Sequence, residues 1–304
     1  MKWIKKGIIF SPNKNFDWLQ THAALPIPLA LGDNNYRIYF SARNKDNIAS
    51  IGFLELNINE PKKINYISEK PILISGNDGC FDDHGVMGHS LVNFENKLYF
   101  YYTGWNIEKN VPFRWSIGLA VSDDYGKTFK KISKGPILDR STIDPFFVAS
   151  PTVLFEDKLW KMWYVSGLGW EENNGIKQSP YHIRYAESID GINWKRNGSI
   201  CIDFANDNET RIGRASIIHE NQVYKMWYSY GLEKYRIGYA ESVDGINWNR
   251  NDLKSGIDVS ESGWDSEMIE YTSIFENNGK KYMLYNGNDY GKTGFGIAIM
   301  ENNH

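Results

Sequence analysis

The chain has almost no cysteine, since Cys80 and Cys201 are the only two in 304 residues. Their spacing matches neither a zinc site nor a disulfide framework. We therefore expect both thiols to be reduced and to serve in packing.

An excess of positive charge is also absent, because 34 Lys and Arg face 37 Asp and Glu. Nucleic-acid binding through counterion release needs a basic field, so we expect no nucleic-acid partner. No apolar run is long enough to span a membrane, and the apolar stretch near the amino terminus is too short for a signal peptide. These features predict a cytoplasmic protein without a membrane partner.

Long segments with apolar residues at helical spacing are absent as well, and a repeat stands in their place. Three copies of one strand begin at Ile117, Ile183 and Ile237, and each is followed by a Ser-x-Asp turn. Weaker copies at Ile51 and Gly296 bring the number to five, about 54 to 66 residues apart, which is the size of a β-propeller blade.

Further strands accompany each copy of this repeat. Aromatic, β-prone runs precede the copies at residues 36–40, 97–102, 160–164, 224–228 and 281–285, and a more apolar run precedes each of them. With a fourth strand after the turn, each unit has four antiparallel strands. The sequence predicts an all-β fold, a single five-bladed β-propeller domain over residues 1–304 with a central channel, in which residues 7–10 complete the last blade.

Two of the turns carry a family resemblance. The segments Ser188-Ile-Asp-Gly-Ile-Asn-Trp194 and Ser242-Val-Asp-Gly-Ile-Asn-Trp248 each follow an Ile-x-Tyr-Ala strand and a Lys-Met-Trp-Tyr strand. In this they resemble the blades of glycoside hydrolase family 43 and its five-bladed relatives in families 32, 68 and 130. The resemblance covers nearly the whole chain and implies a carbohydrate-active enzyme.

Acidic residues within these turns are expected to be structural. Asp190 and Asp244 are placed to accept Asx-type hydrogen bonds from the backbone of their own turns. A third turn, Ser122-Asp-Asp-Tyr-Gly-Lys-Thr-Phe129, resembles the Asp-box of sialidases. Sialidases have six blades, whereas five units are counted in this chain.

Acids, histidines and arginines are concentrated in the loops that lead into the five innermost strands. Cleavage of a glycosidic bond needs one carboxylic acid to protonate the leaving oxygen and one carboxylate to activate water or to attack. The strongest candidate acid is Glu270, three residues ahead of the core of its inner strand. Asp144 and Asp83 are the next candidates, for a base and for a carboxylate that tunes the pKa of the acid.

Other acids recur at one aligned position and are therefore expected to fix the loops. These are Asp17, Asp82 and Asp265.

Substrate-binding candidates come from the same loops and from the strand that follows the first of them. Guanidinium groups match the geometry of carboxylate and phosphate, which favours an anionic or phosphorylated carbohydrate, although ion pairs with neighbouring glutamates are the alternative. The histidines could bind substrate hydroxyls, bind a channel ion, or simply be hydrogen-bonded within their loops. The candidates are His22, Arg43, His84, His89, Glu209, Arg211, Arg214 and Glu267. No cofactor or metal site is expected, and a channel-bound calcium ion stays open.

The chain departs from family 43 at the catalytic positions. That family carries a glutamate acid before a Gly/Ala-Pro pair on the third inner strand, where this chain has Ala149-Ser150-Pro151. The acids have therefore moved between blades or the reaction differs. Hydrolysis of a glycosidic bond is the leading hypothesis. Transfer by a glycosyltransferase or glycoside phosphorylase, as the resemblance to family 130 allows, and non-catalytic sugar binding are the alternatives.

Overall fold

The computed structural model describes residues 1–173, 175–207 and 209–301, and this part of the chain is built from β-strands. Two single-turn 3₁₀ helices lie at Asp252–Lys254 and Asp289–Gly291. No helix in the described ranges is long and apolar enough to cross a membrane. The predicted all-β fold is confirmed. In chain order, the strands are β1 (Trp3–Phe10), β2 (Thr21–Gly32), β3 (Asn35–Arg43), β4 (Ala49–Asn57), β5 (Ile64–Ile67), β6 (Val86–Phe94), β7 (Lys97–Asn106), β8 (Arg114–Ser122), β9 (Lys130–Lys131), β10 (Val148–Glu156), β11 (Leu159–Gly167), β12 (Glu171–Asn173), β13 (Ile176–Gln178), β14 (Tyr181–Ser188), β15 (Lys195–Ile202), β16 (Arg211–Glu220), β17 (Val223–Gly231), β18 (Arg236–Ser242), β19 (Asn249–Arg250), β20 (Glu270–Asn277), β21 (Lys280–Asn286) and β22 (Phe295–Met300).

Antiparallel pairing joins these strands into sheets. Three sheets have the orders β2-β3-β4-β5, β6-β7-β8-β9 and β1-β22-β21-β20. A larger sheet forms because one parallel pairing, between Tyr181 and Arg211, joins β10-β11-β14, with β15 on β14, to β16-β17-β18-β19. Strands β12 and β13 form a separate hairpin. The amino-terminal strand β1 pairs with β22, which confirms the predicted closure of the last unit.

The inner strands β2, β6, β10, β16 and β20 are arranged in a ring. Each of them contacts the next one in this order, and β20 contacts β2. Because each inner strand is the first of its four-strand run, the loops leading into the strands meet around a common centre.

Side chains between neighbouring sheets form the core. Phe40 of β3 packs against Phe295 of β22, with ring centroids 5.9 Å apart. On β11, Met162, Trp163 and Tyr164 are all fully buried although their side chains alternate between the two faces of the sheet. Both faces of β11 are therefore covered at its centre, and this explains why apolar and aromatic residues follow each other there without alternating with polar ones.

Each Ser-x-Asp turn is held by its own aspartate. The Oδ1 atom of Asp190 accepts the backbone N–H groups of Ile192 at 2.9 Å and Asn193 at 2.8 Å, and Asp244 repeats this arrangement. Gly191 adopts φ +73°, and its carbonyl accepts the hydroxyl of Tyr101 from the preceding sheet. The structural role predicted for the two aspartates is confirmed.

Neither cysteine forms a disulfide bond. Cys201 is buried in the core, and burial raises the pKa of its thiol to about 12. Both observations agree with the reduced, structural thiols expected from the sequence.

Neighbouring sheets are linked by one recurring hydrogen bond near the centre of the ring. A side-chain oxygen on the second strand of one sheet accepts a backbone N–H from the first strand of the next. The pairs are Ser41 with Gly88 at 3.1 Å, Thr103 with Ser150 at 2.9 Å, Ser229 with Tyr271 at 2.9 Å and Asn286 with Leu25 at 2.8 Å. Ser166 occupies the aligned position of β11, but its buried hydroxyl has no hydrogen-bond partner.

This contrast predicts different effects for two identical substitutions. Ser41→Ala removes the acceptor of a buried N–H, so it should lower the free energy of unfolding by about 1–3 kcal/mol. Ser166→Ala removes no hydrogen bond and should leave that free energy unchanged or raise it slightly. Urea unfolding of the wild type and both variants measures the difference. Equal destabilisation by the two substitutions would show that the recurring hydrogen bond does not link the sheets energetically.

Candidate functional site

A cavity of about 360 Å³ lies where the inner strands begin. Each inner strand has a register shift of its ladder there, between Gly88 and Ser90 in β6 for example. Such bulges redirect side chains out of the regular alternation of a strand. The residues at the five bulges all line the cavity, and they are Leu25, His89, Ser150, Arg214 and Tyr271.

Four of these bulge residues have a strained backbone. The φ angles are 59° at Leu25, 49° at Ser150, 49° at Arg214 and 55° at Tyr271. For residues other than glycine this conformation costs on the order of 1–3 kcal/mol each and persists only where its surroundings enforce it. The hydrogen bonds from the preceding sheet fix Leu25, Ser150 and Tyr271 in this way.

The wall of the cavity is cationic. Arg43, Lys177, Arg211 and Arg214 line it, and none of its lining residues in the described ranges is an aspartate or a glutamate. The sequence-based candidates Arg43, His89, Arg211 and Arg214 are thus brought together in one place. Since no carboxylate in this wall offsets the cations, the site is suited to an anion.

These arginines contact neutral groups. Arg214 is 3% exposed and donates to the carbonyl of His89 at 2.7 Å and to Ser273 Oγ at 3.3 Å, while its Nε has no partner. Arg211 donates to Gln178 Oε1 at 2.7 Å and to the Tyr290 hydroxyl at 3.2 Å.

Arg43 bonds a neutral group as well. It donates to Asn47 Oδ1 at 2.9 Å and lies over the ring of Trp105. Guanidinium N–H donors in this wall are therefore not held by carboxylates.

An aromatic wall completes the cavity. The rings of Phe113 and Trp115 are stacked with centroids 3.9 Å apart, and both residues line the cavity. The indole Nε1 of Trp115 is buried without a hydrogen-bond partner. Aromatic faces with a free polar edge are suited to packing against a sugar ring and to bonding one of its hydroxyls.

Glu270 lies directly beside the cavity. Its side chain is fully buried, and neither carboxyl oxygen has a hydrogen-bond partner. Burial raises its pKa well above the ordinary value and Asp289 adds to the effect, while Tyr271 opposes it. Burial raises the pKa of Tyr271, which lines the cavity, and a charge on Glu270 would raise it further, so the two groups are close enough to interact. The raised pKa favours the protonated form of this carboxyl, which lies within electrostatic range of the cavity wall.

Two histidines of the sequence-based set lie in this region. His89 lines the cavity, both of its ring nitrogens are buried without partners, and burial, aided by Arg214, lowers its pKa well below the ordinary value. His22 bonds Thr21 Oγ1, and burial, aided by Arg43, lowers the pKa of His22 to about 4. Both rings are consequently neutral at physiological pH.

Asp144 is placed in a buried ionic cluster instead of in the cavity wall. It is fully buried, accepts the Tyr164 hydroxyl at 3.0 Å, and contacts Arg196 at 2.8 Å and Arg184 at 3.3 Å. Asp82 and Asp265 have equivalent partners, a tyrosine on the second strand and a lysine. The recurring structural aspartate is therefore found at Asp82, Asp144 and Asp265.

Asp17 does not share these contacts. It is exposed, so the alignment from sequence assigned the wrong third member.

Asp83 and His84 form a pair outside the cavity wall. Asp83 Oδ1 contacts His84 Nδ1 and accepts from Asn106, both at 2.7 Å. Although burial opposes it, these bonds and one from the Gly79 N–H lower the pKa of Asp83 below its ordinary value. A carboxylate engaged in this way fixes its loop.

The two remaining glutamates are engaged in ion pairs. Both carboxyl oxygens of Glu209 lie 2.7 Å from the guanidinium of Arg250. Glu267 is exposed and contacts Lys234 at 2.9 Å. Neither glutamate pairs with Arg211 or Arg214, the partners that the sequence had suggested as an alternative.

Several lining residues were missed from sequence. Lys177 and Gln178 belong to the β12–β13 hairpin, and Tyr181, Tyr235 and Tyr290 follow or precede irregular loops.

The bulges did leave a signal in the sequence. The residue before each bulge is small in four inner strands and is a glutamate in the fifth: Ala24, Gly88, Ala149, Gly213 and Glu270.

A channel-bound calcium ion does not fit this cavity. Calcium is bound by oxygen ligands, chiefly carboxylates, whereas the wall carries cations and no acid among the described residues. No group of three or more His, Cys, Asp or Glu in the described ranges could hold a metal ion.

Relatives of the chain are known by sequence. No family model matches it. The uncharacterized proteins MT1551 and Rv1502 of Mycobacterium tuberculosis, from strains CDC 1551 and H37Rv, are each 40% identical to it over 302 residues. These matches cover 99% of this chain and 100% of each relative. The chain belongs to their family.

The fold of this MT1551/Rv1502 family has solved counterparts. A glycoside hydrolase superposes with a TM-score of 0.77 at 19% identity, covering 99% of this chain and 92% of that one. A thermostable family-43 glycoside hydrolase gives 0.68 at 18% identity, with 95% and 92% covered. A glycosyl hydrolase from Bacteroides ovatus gives 0.73 at 16% identity, with 99% and 93% covered. At these identities the likeness shows the propeller-type fold of glycoside hydrolases.

The structural role of Asp144 is testable. Asp144→Asn removes the buried charge that two partly buried arginines contact and should lower the free energy of unfolding by about 3–5 kcal/mol. Glu267→Gln, which breaks an exposed pair, should leave that free energy almost unchanged. Chemical denaturation of both variants provides the comparison. An Asp144→Asn protein with wild-type stability would instead return Asp144 to the set of candidate catalytic groups.

Proposed function

We propose that the chain forms a single-domain, five-bladed β-propeller. The ring of five inner strands supports this, as does the four-strand antiparallel run that each of them begins. In such a fold the cavity at the centre of the ring is the usual place for a ligand.

We propose further that the protein is a glycosidase-like enzyme that breaks a glycosidic bond of an oligosaccharide or glycan intermediate, with Glu270 as the proton donor. The observation that carries the proposal is the carboxyl of Glu270, fully buried with both oxygens unpartnered. A buried carboxyl without hydrogen bonds destabilises the fold. Groups of this kind with strongly shifted pKa values are concentrated at functional sites.

The chemistry of the reaction explains why such an acid is useful. A sugar alkoxide is a poor leaving group, and protonation of the glycosidic oxygen makes its departure possible. An acid with an ordinary pKa has lost its proton at neutral pH, whereas burial raises the pKa of Glu270 and favours the protonated form. The proposal requires that this carboxyl reach hydrogen-bonding distance of the leaving oxygen in the substrate complex, a tightening that is common for general acids.

The identity of the second catalytic group decides between hydrolysis and glycosyl transfer. Hydrolysis by two carboxylates needs a second acid that faces Glu270. Asp144 and Asp83 are both engaged by other residues, and the described cavity wall has no carboxylate. This arrangement favours an acceptor that needs no carboxylate base, so glycosyl transfer is the second candidate function.

The proton-donor role predicts a dependence on the leaving group. Glu270→Gln should slow cleavage of oligosaccharides and alkyl glycosides by about 10²–10⁴-fold, because an alkoxide must be protonated. Nitrophenyl glycosides should be affected much less, because a nitrophenolate leaves without a proton. Rates are measured on a panel of both kinds of glycoside, with and without phosphate.

Glu261→Gln is the matched control, since Glu261 is exposed and lies outside the cavity wall. It should leave both rates unchanged. An equal loss on both kinds of glycoside would contradict proton donation by Glu270. A wild-type protein that binds sugars and releases none from the whole panel would favour the non-catalytic, sugar-binding alternative.

A further inference from the structure

The cations of the cavity wall differ from the other charged groups of the protein. Outside the cavity, six arginines each contact a carboxylate: Arg37, Arg114, Arg184, Arg196, Arg236 and Arg250. Arg43, Arg211 and Arg214 form no such pair in the described part of the chain, although the chain carries 37 acids. The described lining of this wall thus contains no acid, although Glu270 lies beside it.

Such an arrangement destabilises the protein in the absence of a ligand. Arg214 is almost fully buried, and burial lowers the pKa of its guanidinium to about 10. Like-charged groups around one cavity repel each other, and a buried charge without a counterion is unfavourable. The cost is offset when an anion enters the cavity.

The available donors suit a phosphoryl group. Arg214 Nε is an unpartnered buried N–H donor, and the neutral His89 ring offers one N–H donor, since neither of its nitrogens has a partner. Planar guanidinium forks bind phosphate through paired N–H bonds, and the three terminal oxygens of a phosphoryl group can use several such forks at once. A phosphoryl group with two negative charges is also attracted more strongly to four cations than a carboxylate with a single negative charge.

We propose that Arg43, Arg211, Arg214 and Lys177 form a subsite for a phosphoryl group within the cavity. This deepens the function proposed for Glu270 and rests on it, because the phosphoryl group is assigned to a carbohydrate reaction. The group has two sources, free orthophosphate or a phosphate ester on the substrate. The subsite places either one beside the acid.

The two sources give different balanced reactions. With orthophosphate, a phosphate oxygen bonds to the anomeric carbon as the bond from that carbon to the leaving oxygen breaks. The Glu270 proton passes to the leaving oxygen, and the products are a sugar phosphate and the released alcohol. With a phosphate ester on the substrate, the ester stays intact and no orthophosphate is consumed. The oxygen of water or of another sugar bonds to the anomeric carbon as the bond to the leaving oxygen breaks, and the Glu270 proton passes to the leaving oxygen. The proton of the acceptor is released to solvent, from which Glu270 regains one.

Calorimetric titration with orthophosphate and with a hexose phosphate tests the subsite directly. Arg211→Gln should weaken the binding of at least one of these probes by about ten- to hundredfold, because it removes charge-assisted hydrogen bonds. Arg43→Gln should act in the same direction without altering the bonds that hold Arg214. Arg140→Gln is the matched control, since Arg140 is exposed and outside the cavity wall, and it should leave binding unchanged.

Two further measurements distinguish orthophosphate from a phosphate ester and test the subsite independently of the proton-donor proposal. Phosphate consumed in step with glycoside cleavage identifies orthophosphate, whereas cleavage of a phosphorylated glycoside without phosphate consumption identifies the ester. Binding is measured in Glu270→Gln as well, where the subsite should remain. If that variant binds phosphate but the leaving-group test fails, the subsite stands and the role of Glu270 is wrong.

Three results would overturn the subsite. The first is that neither phosphate probe binds to the wild type. The second is that Arg140→Gln weakens binding as much as Arg211→Gln does. The third is that glucuronate binds more tightly than both phosphate probes. The last result would assign the cations to a carboxylate.

Discussion

The bulge at the start of each inner strand is the constraint on which the site depends. A regular strand would alternate its side chains between the two faces of a sheet, where neighbouring sheets would bury them. The bulges turn Leu25, His89, Ser150, Arg214 and Tyr271 into one cavity instead. The strained backbone at Leu25, Ser150 and Tyr271 is held by hydroxyl and amide oxygens of the preceding sheet, so the site depends on contacts between neighbouring sheets.

The positions of the charged residues follow from the geometry of the bulges. Aspartates behind the wall, such as Asp82, Asp144 and Asp265, are each neutralised by a tyrosine and a cation and hold the loops in place. The described lining of the cavity itself has cations and no acid, and the buried carboxyl of Glu270 beside it has no hydrogen-bond partner. The charged residues that hold the loops and those of the site are thus of the same types. They differ in whether a counter-charge is present.

Much of this architecture could be predicted from the sequence. The period of the Ile-x-Tyr-Ala strand and the aromatic run before it predicted the all-β fold, and residues 7–10 predicted the pairing of β1 with β22. Glu270 was also singled out, because a glutamate just ahead of an inner strand stands out in a repeat. The partners of Asp144 could not be foreseen, since Arg184 and Arg196 lie 40 and 52 residues away in sequence. Lys177 escaped notice because its hairpin is an insertion into the repeat.

The central claim is that Glu270 keeps its proton at neutral pH beside a cationic cavity. The most direct measurement is an NMR titration of the side-chain carboxyl carbons in protein labelled at glutamate, with the Glu270 resonance assigned by its loss in Glu270→Gln. The account predicts a pKa well above 4.5, so that the resonance stays at its protonated position through neutral pH. A Glu270 carboxyl that titrates at or below 4.5 would contradict the account, because it would be ionised and unable to protonate a leaving oxygen.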